Sequence, residues 1–519
     1  MKYTKIILLL SAVLLLGSCM DNFLDVKPMG KLIPEKAADF ENLLNNDNTV
    51  EFQFMDGNRG IRFAYLGDNY KITQALSENR FTPGAVNMDR YAAYVFYDPV
   101  TNPMEKDVIW DNLYKAISVF NSVIDGVQGL SDEENNSDLG QMIIAQAKAA
   151  RAWCYLNGVF IWGPMWNPTG SNDTRVMPYR TTSSPVVSNP DLHTTTEIFE
   201  FIKTDLEEAL SDVPEQVSNP SRANKTAVRA LLAQYYMYQR NWSEMLQYAN
   251  QAWGESLSRV NGDVDKLIYN LNDFQYIEKT VSPKPGESRE VYLSLGYFPE
   301  GIMDSSEPFK RSHNRESLFF RVGTFSSGED YLPSDEFIAL FDSATDKRYQ
   351  LFMLDLVGSG NELVKSYYRS NTDKMADNVN NGITYPELLL MRAEAYARSG
   401  NTANALEDLN LLRKYRYTGV VTDLPGGESL SQDALLYEIL KERRREMNVG
   451  SHQRFIDLKR YFYDTGKPWC KSVIEHEIGT QVFSKPLTDP VFNARISNVI
   501  ISYNPHWGLE PDTRSYQPK

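Results

Sequence analysis

At 519 residues, with 42% hydrophobic and 23% charged side chains, the chain has the composition of a soluble globular protein large enough to bury a substantial core. Its net charge of −15 argues against a nucleic-acid surface, which needs clustered Lys and Arg, and disfavours adhesion to an anionic membrane face. The one dense basic run, Arg443-Arg444-Arg445, is offset by Glu442 and Glu446.

The N-terminus carries a targeting pattern. Lys2 and Lys5 precede an apolar run from Ile6 to Leu16, closed by Leu16-Gly17-Ser18-Cys19. At about 1.5 Å per residue the run is too short to cross a hydrocarbon core of roughly 30 Å. It matches the apolar region of a secretory signal peptide. Small residues leading directly into a Cys form a lipobox. The expectation is cleavage after residue 18 and acylation of Cys19, palmitate-type chains giving a membrane anchor on a soluble body. No later segment offers 18 consecutive apolar residues.

Beyond the anchor, residues 20–30 read as an extended tether containing Pro28, and a helix begins near Glu35 with Phe40, Leu43 and Leu44. Trp110, Leu113, Tyr114, Ile117, Phe120 and Ile124 recur at steps of three and four, which predicts an amphipathic helix over 110–127. After a polar break at Asn135 to Asp138, a helix over 141–160 is apolar on much of its surface, hence buried, and Gly163-Pro164 stops it. Residues 162–196 read as loop, and Thr196 with Glu197 starts a helix reaching Val213.

Two later helix pairs share a pattern. The first spans 227–253, broken near Arg240-Asn241; the second spans 387–412, broken near Gly400-Asn401. Ala233, Tyr236, Met245, Ala249 and Ala252 correspond to Ala393, Tyr396, Ala405, Leu409 and Leu412. This small–aromatic–small spacing is tetratricopeptide-like: a small residue on one helix lets its partner pack close. The fold class expected is mainly α, a scaffold of such helix pairs with long loop-rich insertions and a few short strands. The main insertion covers 256–386, with a strand at Val291 to Leu295; a last helix covers 434–461, and the tail from Tyr503 is an extended strap with Pro505, Pro511 and Pro518.

Catalytic and metal motifs do not assemble. His476-Glu477 begins a zinc-protease-like string, but residue 480 is Thr. The five His residues are far apart and read as surface decoration; Asp263-Val264-Asp265 lacks the rest of a calcium loop. Glu442, Arg445 and Glu446, and likewise Arg454, Asp457 and Arg460, fall at steps of three and four where opposite charges pair. They read as a structural ion-pair network, not a catalytic group. Cys154 and Cys470 read as isolated thiols, although a pairing is open. The expectation is no enzyme, no cofactor and no metal.

Several of these segments together resemble one family. Cys19 followed by Asn22-Phe23-Leu24-Asp25, the helix Trp110-Asp111-Asn112-Leu113-Tyr114, the run Ala147 to Leu156 ending in Gly163-Pro164, the repeat Glu387 to Tyr396, the block Glu442 to Arg460 and the closing Asn504-Pro505-His506-Trp507 resemble, in order, the SusD/RagB family of outer-membrane lipoproteins. Met447-Asn448-Val449-Gly450 departs from the family pattern. The resemblance implies a signal peptide at 1–18, a SusD-like N-terminal region at 19–230 and a RagB/SusD C-terminal region at 231–519. It implies a non-catalytic lipoprotein on the exterior of the outer membrane that binds a glycan and delivers it to a SusC-like TonB-dependent transporter. The alternative is a RagB-like component of a peptide uptake system.

Glycan binding needs aromatic faces. One ring face covering roughly 80–100 Å² contributes about 2 kcal/mol, whereas a millimolar complex needs about 4 kcal/mol. Two or three rings must therefore share a surface. Tyr91, Tyr94 and Tyr97, beside Asn87 and Asn102, form the first candidate cluster outside clear helices. Trp166, beside Trp162 and Asn167, and the insertion residues Tyr297, Phe298 and Phe309 form the others.

Overall fold

Helix starts in this chain are written in Ser, Thr, Asn and Asp. In the computed structural model, Asp107, Ser137, Thr194, Asn224, Asn241, Thr384, Asn401 and Ser431 each accept a hydrogen bond from a first-turn backbone N–H, a contribution of about 1 kcal/mol apiece. The structure describes residues 34–45, 62–281, 290–297, 314–323, 332–367, 379–447 and 451–519. The signal segment, Cys19, Phe298 and Phe309 lie outside them.

The N-terminal region begins with α1 (Ala37–Leu44), α2 (Arg62–Tyr65), α3 (Gln74–Arg80) and α4 (Met88–Tyr94). The long helix α5 (Val108–Gln128), the short α6 (Asp132–Asn135), α7 (Asp138–Trp162) and α8 (Thr195–Asp212) follow. As its composition predicts, α7 is buried on nearly every side, including Gln146, Arg151 and Asn157. Such polar groups need partners. Arg151 donates to both Asp205 carboxylate oxygens on α8 at 2.8 and 2.7 Å and to Asn121 on α5 at 2.7 Å. The start of α8 differs by two residues from expectation: Thr194, not Thr196, caps it, and Glu197 reaches back to close a capping box. The preceding stretch, read as loop, pairs β1 (Arg175–Met177) with β2 (His193–Thr194).

The two repeated pairs are α9 (Lys225–Gln239) with α10 (Trp242–Arg259), and α13 (Tyr385–Arg398) with α14 (Thr402–Arg416). Ala233, Met245, Ala249 and Ala252 are fully buried, as are Ala393, Ala405 and Leu412. Their turns match too. Asn241 N–H donates to the Tyr236 carbonyl at 3.0 Å, and Asn401 N–H to the Tyr396 carbonyl at 2.9 Å. The left-handed position is Gly400 (φ 82°) in one and Arg240 (φ 61°) in the other. A non-glycine residue there is strained; Arg240 is held by the Arg460 carbonyl at 3.1 Å and by the Asp464 carboxylate.

Between the pairs, the expected strand forms within a hairpin of β3 (Phe274–Val281) and β4 (Glu290–Tyr297). The stretches read as irregular loop, 282–286 and 296–314, lie almost wholly outside the described residues; elsewhere the described residues of the insertion carry further short elements. Two-residue and three-residue pairings join β5 (Ser317–Phe319) to β10 (Ile383–Thr384), and β6 (Val322–Gly323) to β9 (Val379–Asn380). A second hairpin pairs β7 (Met353–Val357) with β8 (Leu363–Tyr367), alongside α11 (Asp335–Ile338) and α12 (Lys347–Phe352).

The single helix expected over 434–461 is two, α15 (Gln432–Glu446) and α16 (Gln453–Tyr461). The backbone leaves helical geometry at Met447 (ψ 149°), where Asn448 and Gly450 follow, both poor helix formers. A hairpin that periodicity did not suggest then pairs β11 (Val473–Ile478) with β12 (Gln481–Pro486). The chain closes with α17 (Asn498–Tyr503) and a strap from Gly508. Among the described residues no helix is long and apolar enough to cross a membrane.

Candidate functional site

The first aromatic cluster does not stand open. Met88, Tyr91 and Tyr94 recur every three residues, and α4 turns them inward together. Tyr91 is 7% exposed and packs on Phe81 at 5.7 Å between ring centroids; Tyr94 is 2% exposed, edge-on to Tyr65 at 6.3 Å. The expectation that these two rings lie exposed outside helices is therefore corrected: helical spacing makes them core. Tyr97, past the helix end, is half-buried. Its hydroxyl donates to the Ser515 carbonyl at 2.9 Å and accepts from Gln517 N–H at 3.1 Å. It also meets Tyr516 edge-on at 6.1 Å. Tyr97 thus pins the C-terminal strap.

That strap walls a cavity of about 660 Å³ whose other sides come from residues 83–89 and 101–108. At its base Arg62 and Asp107 form a buried pair at 2.9 Å, and Asp107 simultaneously caps α5 through Ile109 N–H at 3.0 Å. Burial pushes the Asp89 carboxyl up from its ordinary range against the pull of Arg62 and Arg90. Burial likewise raises the Tyr516 phenol, keeping it neutral, and its hydroxyl has no hydrogen-bond partner among the described residues. Glu105 and Lys106 are exposed on the rim beside Asn102. The strap is tethered by Arg514, which pairs with Asp98 at 2.7 Å and with Asp512. Lys519 holds it through Ser77 and lies 5.2 Å from the Tyr91 ring. Carboxylates, an amide, an ammonium and a phenol converging on one hollow can donate to and accept from the hydroxyls of a polyhydroxylated ligand.

Trp162 and Trp166 are placed apart from this cavity. Trp166 is half-buried with its ring 4.9 Å from Phe199 on α8, and Asn167 spends its side-chain oxygen on the N–H groups of Thr169 and Gly170 at 3.1 and 3.0 Å. Trp162 is buried edge-on to Trp110 at 5.2 Å. Tyr297 ends β4 opposite Phe274. Neither Tyr97 nor Trp166 lines the cavity. Sequence reading missed the strap's contribution, Tyr516 to Lys519; its signal was a Tyr and a Lys among prolines in a tail otherwise free to be disordered.

The block from Glu442 to Arg460 is interior. Arg445 pairs with Glu442 at 2.6 Å and Arg460 with Asp457 at 2.9 Å, as their spacing predicts. Most bonds, however, run to distant elements. Glu442 binds Arg348 at 2.6 Å, Glu446 binds Arg348 and Arg416 at 2.9 Å, Arg443 binds Asp457 at 2.8 Å and Arg460 binds Glu394 at 2.5 Å. Burial works to raise Glu442 and Glu394, but Arg348 and Arg445 around the first, and Arg460 and Arg398 around the second, bring both down to about 2. Arg454 turns to Asp68 instead of Asp457. The network joins α15 and α16 to the insertion and to α13. Two of the histidines read as surface decoration are also interior: His452 is 1% and His476 4% exposed. Cys154 and Cys470 are free thiols. Among the described residues no group of three or more His, Cys, Asp or Glu is placed to hold a metal ion.

Comparison with known proteins adds the following. Residues 22–237 match a family described as starch-binding and associating with the outer membrane, and residues 359–492 match the SusD family. A SusD-like protein of Bacteroides ovatus is 24% identical over 243 residues; the chain spans 40% of that relative's length, and the match covers 46% of this chain. Among solved structures, a putative sugar-binding protein of Bacteroides vulgatus is similar with a TM-score of 0.64 at 16% identity, covering 92% of this chain and 98% of that one. A SusD superfamily protein of Bacteroides thetaiotaomicron is similar with a TM-score of 0.62 at 18% identity, covering 91% and 98%. Surface glycan-binding protein A of Bacteroides uniformis is similar with a TM-score of 0.56 at 15% identity, covering 90% and 98%.

Proposed function

This chain belongs to the SusD/RagB family, and from that membership we propose that it is a non-catalytic, cell-surface glycan-binding lipoprotein. In this reading it captures an oligo- or polysaccharide and delivers it to a SusC-like TonB-dependent transporter in the outer membrane, held there through lipid on Cys19. The observation that carries the reading within the chain is the cavity between residues 83–108 and the strap, where Asp89, Glu105, Lys106 and Tyr516 supply hydrogen-bonding groups. Neutral sugars need many such groups, because each hydroxyl leaving water must find a new partner. Tyr97 and Trp166, both half-buried, and the insertion residues Tyr297, Phe298 and Phe309 are the stacking rings this reading would draw on. Residues 20–30, read from sequence as a tether, would span at most about 40 Å if fully extended, enough to stand the body off a membrane surface.

Affinity electrophoresis against a panel of polysaccharides tests this. Retarded migration on at least one glycan, lost in Glu105→Ala/Lys106→Ala, supports the reading. Migration unchanged on every glycan, with peptides co-purifying, transfers it to the RagB-like peptide system. The anchor is tested separately: Cys19→Ala is expected to leave the outer-membrane fraction, and its retention in cells lacking the transporter refutes lipid anchoring.

A further inference from the structure

A hollow of about 340 Å³ lies between the start of α9, the end of α10, the turn Val264–Lys266 and the residues leading into β5. It shares no lining residue with the cavity under the strap. Its volume is at the lower end of the roughly 300–1,000 Å³ usual for small-molecule sites. Among the described residues that line it, Arg259, Lys266 and Arg315 carry positive charge and none carries negative charge. The strap cavity mixes the two signs, and in a cavity of about 690 Å³ beside β11 carboxylates outnumber lysines. A hollow of one positive sign on a chain of net charge −15 is a local arrangement, not a reflection of composition.

Each cation is positioned. Arg259, the last residue of α10, donates to the Tyr385 hydroxyl at 3.1 Å and to the Ser256 hydroxyl at 3.4 Å. Both partners are neutral, so the guanidinium is aimed without its charge being cancelled. Arg315 donates to the Asp265 carbonyl at 2.9 Å, and its guanidinium lies 4.4 Å from the centre of the Tyr269 ring. Lys266 is exposed at the mouth, 3.7 Å from Asp263, a loose and wet pair that is worth little. The carboxylate at the rim, Glu215, is taken by Lys225 at 2.5 Å. The hydrogen bond from Lys225, followed by the charges of Lys225, Arg229 and Arg259, lowers the Glu215 carboxyl below its ordinary range.

The neutral lining groups add donors. The Asn224 side-chain oxygen accepts from Ala227 N–H at 2.8 Å, and that of Asn314 from Glu316 N–H at 3.0 Å. A backbone N–H fixes which end of an amide faces it, so each asparagine keeps its NH2 to offer a ligand. The positive ends of α9 and α13, which start at Lys225 and Tyr385, also meet the hollow, against the one negative end of α10.

We propose that this hollow is an anion subsite for an acidic saccharide, a sugar residue carrying a carboxylate or a sulfate ester. The inference rests on the glycan-binding reading above and narrows its ligand class. Arg259 and Arg315 present planar forks that match the paired oxygens of either group. Lys266 screens the mouth, and the two amides take neighbouring hydroxyls.

Calorimetric titration of the detergent-solubilised full chain tests this, with trigalacturonate, a sulfated chondroitin disaccharide and neutral maltotriose as probes. At low salt at least one acidic probe should bind, and Arg259→Gln and Lys266→Gln should each weaken it about tenfold. Lys203→Gln, which removes the same charge from α8 beside Glu207, should leave it unchanged. Affinity should fall as salt is raised. Binding of trigalacturonate alone assigns a carboxylate, of the sulfated probe alone a sulfate ester, and of both a site for either anion. An acidic probe held equally by wild type and both variants overturns the subsite. Retardation on neutral polysaccharides with no acidic probe bound sinks the subsite and leaves the glycan reading standing; no binding to any glycan removes both. Should Arg259→Gln fail to fold, Lys266→Gln, a change on an exposed side chain, decides.

Discussion

Replacing Glu442 by Gln removes one charge from the centre of the buried network while keeping the side chain's shape. Glu442 is fully buried, with Arg348 and Arg445 each at 2.6 Å and the Tyr417 hydroxyl donating at 3.1 Å. Its carboxyl falls from an ordinary 4.5 to about 2 because the two guanidiniums outweigh burial. A difference of that size corresponds to about 3 kcal/mol of stability at neutral pH, which agrees with the 3–5 kcal/mol typical of breaking a buried ion pair by removing one partner. The sign follows from the depressed value: the contribution is complete above pH 4.5 and drains away as pH falls toward 2. Denaturant unfolding of wild type and Glu442→Gln at pH 7, 5 and 3 should therefore show a gap of about 3 kcal/mol at the two higher values and a clearly smaller one at pH 3. A gap below about 1 kcal/mol at pH 7, or one that stays constant to pH 3, refutes the assignment of this block as a stabilising ion-pair network.

Glu387 behaves oppositely. Burial, with Arg443 only partly compensating, lifts its carboxyl to about 7, so the folded chain holds a proton the unfolded chain releases, and stability declines from pH 4.5 toward 7. Glu387→Gln should be nearly neutral at pH 5 and stabilising by up to about 3 kcal/mol at pH 8 in the same unfolding assay; destabilisation at pH 8 contradicts this. Gly126→Ala should cost about 1–3 kcal/mol, because a Cβ there would lie 2.0 Å from the Phe40 ring. Limited proteolysis should cut α1 faster in that variant, and unchanged protection would show that α1 docks elsewhere.

The helical scaffold was legible because its information is local. Steps of three and four, small residues opposite aromatics, and a cap before each of the long helices α5, α7–α10 and α13–α15 are all contained within a turn or two of chain, so the repeated pairs α9–α10 and α13–α14 could be matched residue by residue. What failed depends on distant partners. Tyr91 and Tyr94 carry the same helical spacing as core residues elsewhere, but a helix as short as α4 offers too few turns for the pattern to stand out. The ion pairs within α15 and α16 were half visible: the i,i+3 partners are local, whereas Arg348, Arg416 and Asp68 come from segments up to several hundred residues away. His476 shows the limit most clearly. Its alternation with Ile474 and Ile478 announces an inward-facing strand residue, yet the carbonyls it meets belong to residues 67 and 94. The cavity itself was not legible: residues 89–103 stood out for their tyrosines, none of which lines it, and the strap that closes it comes from the far end of the chain.

Tyr97 and its partner Ser515 are separated by 418 residues. During synthesis nearly the entire polypeptide must emerge before this tie can form, so the earliest-made region waits with one side of its hollow unbuilt. For residues 83–108 the late tie sets an order of assembly: the hollow is closed only after the residues of the strap have been made.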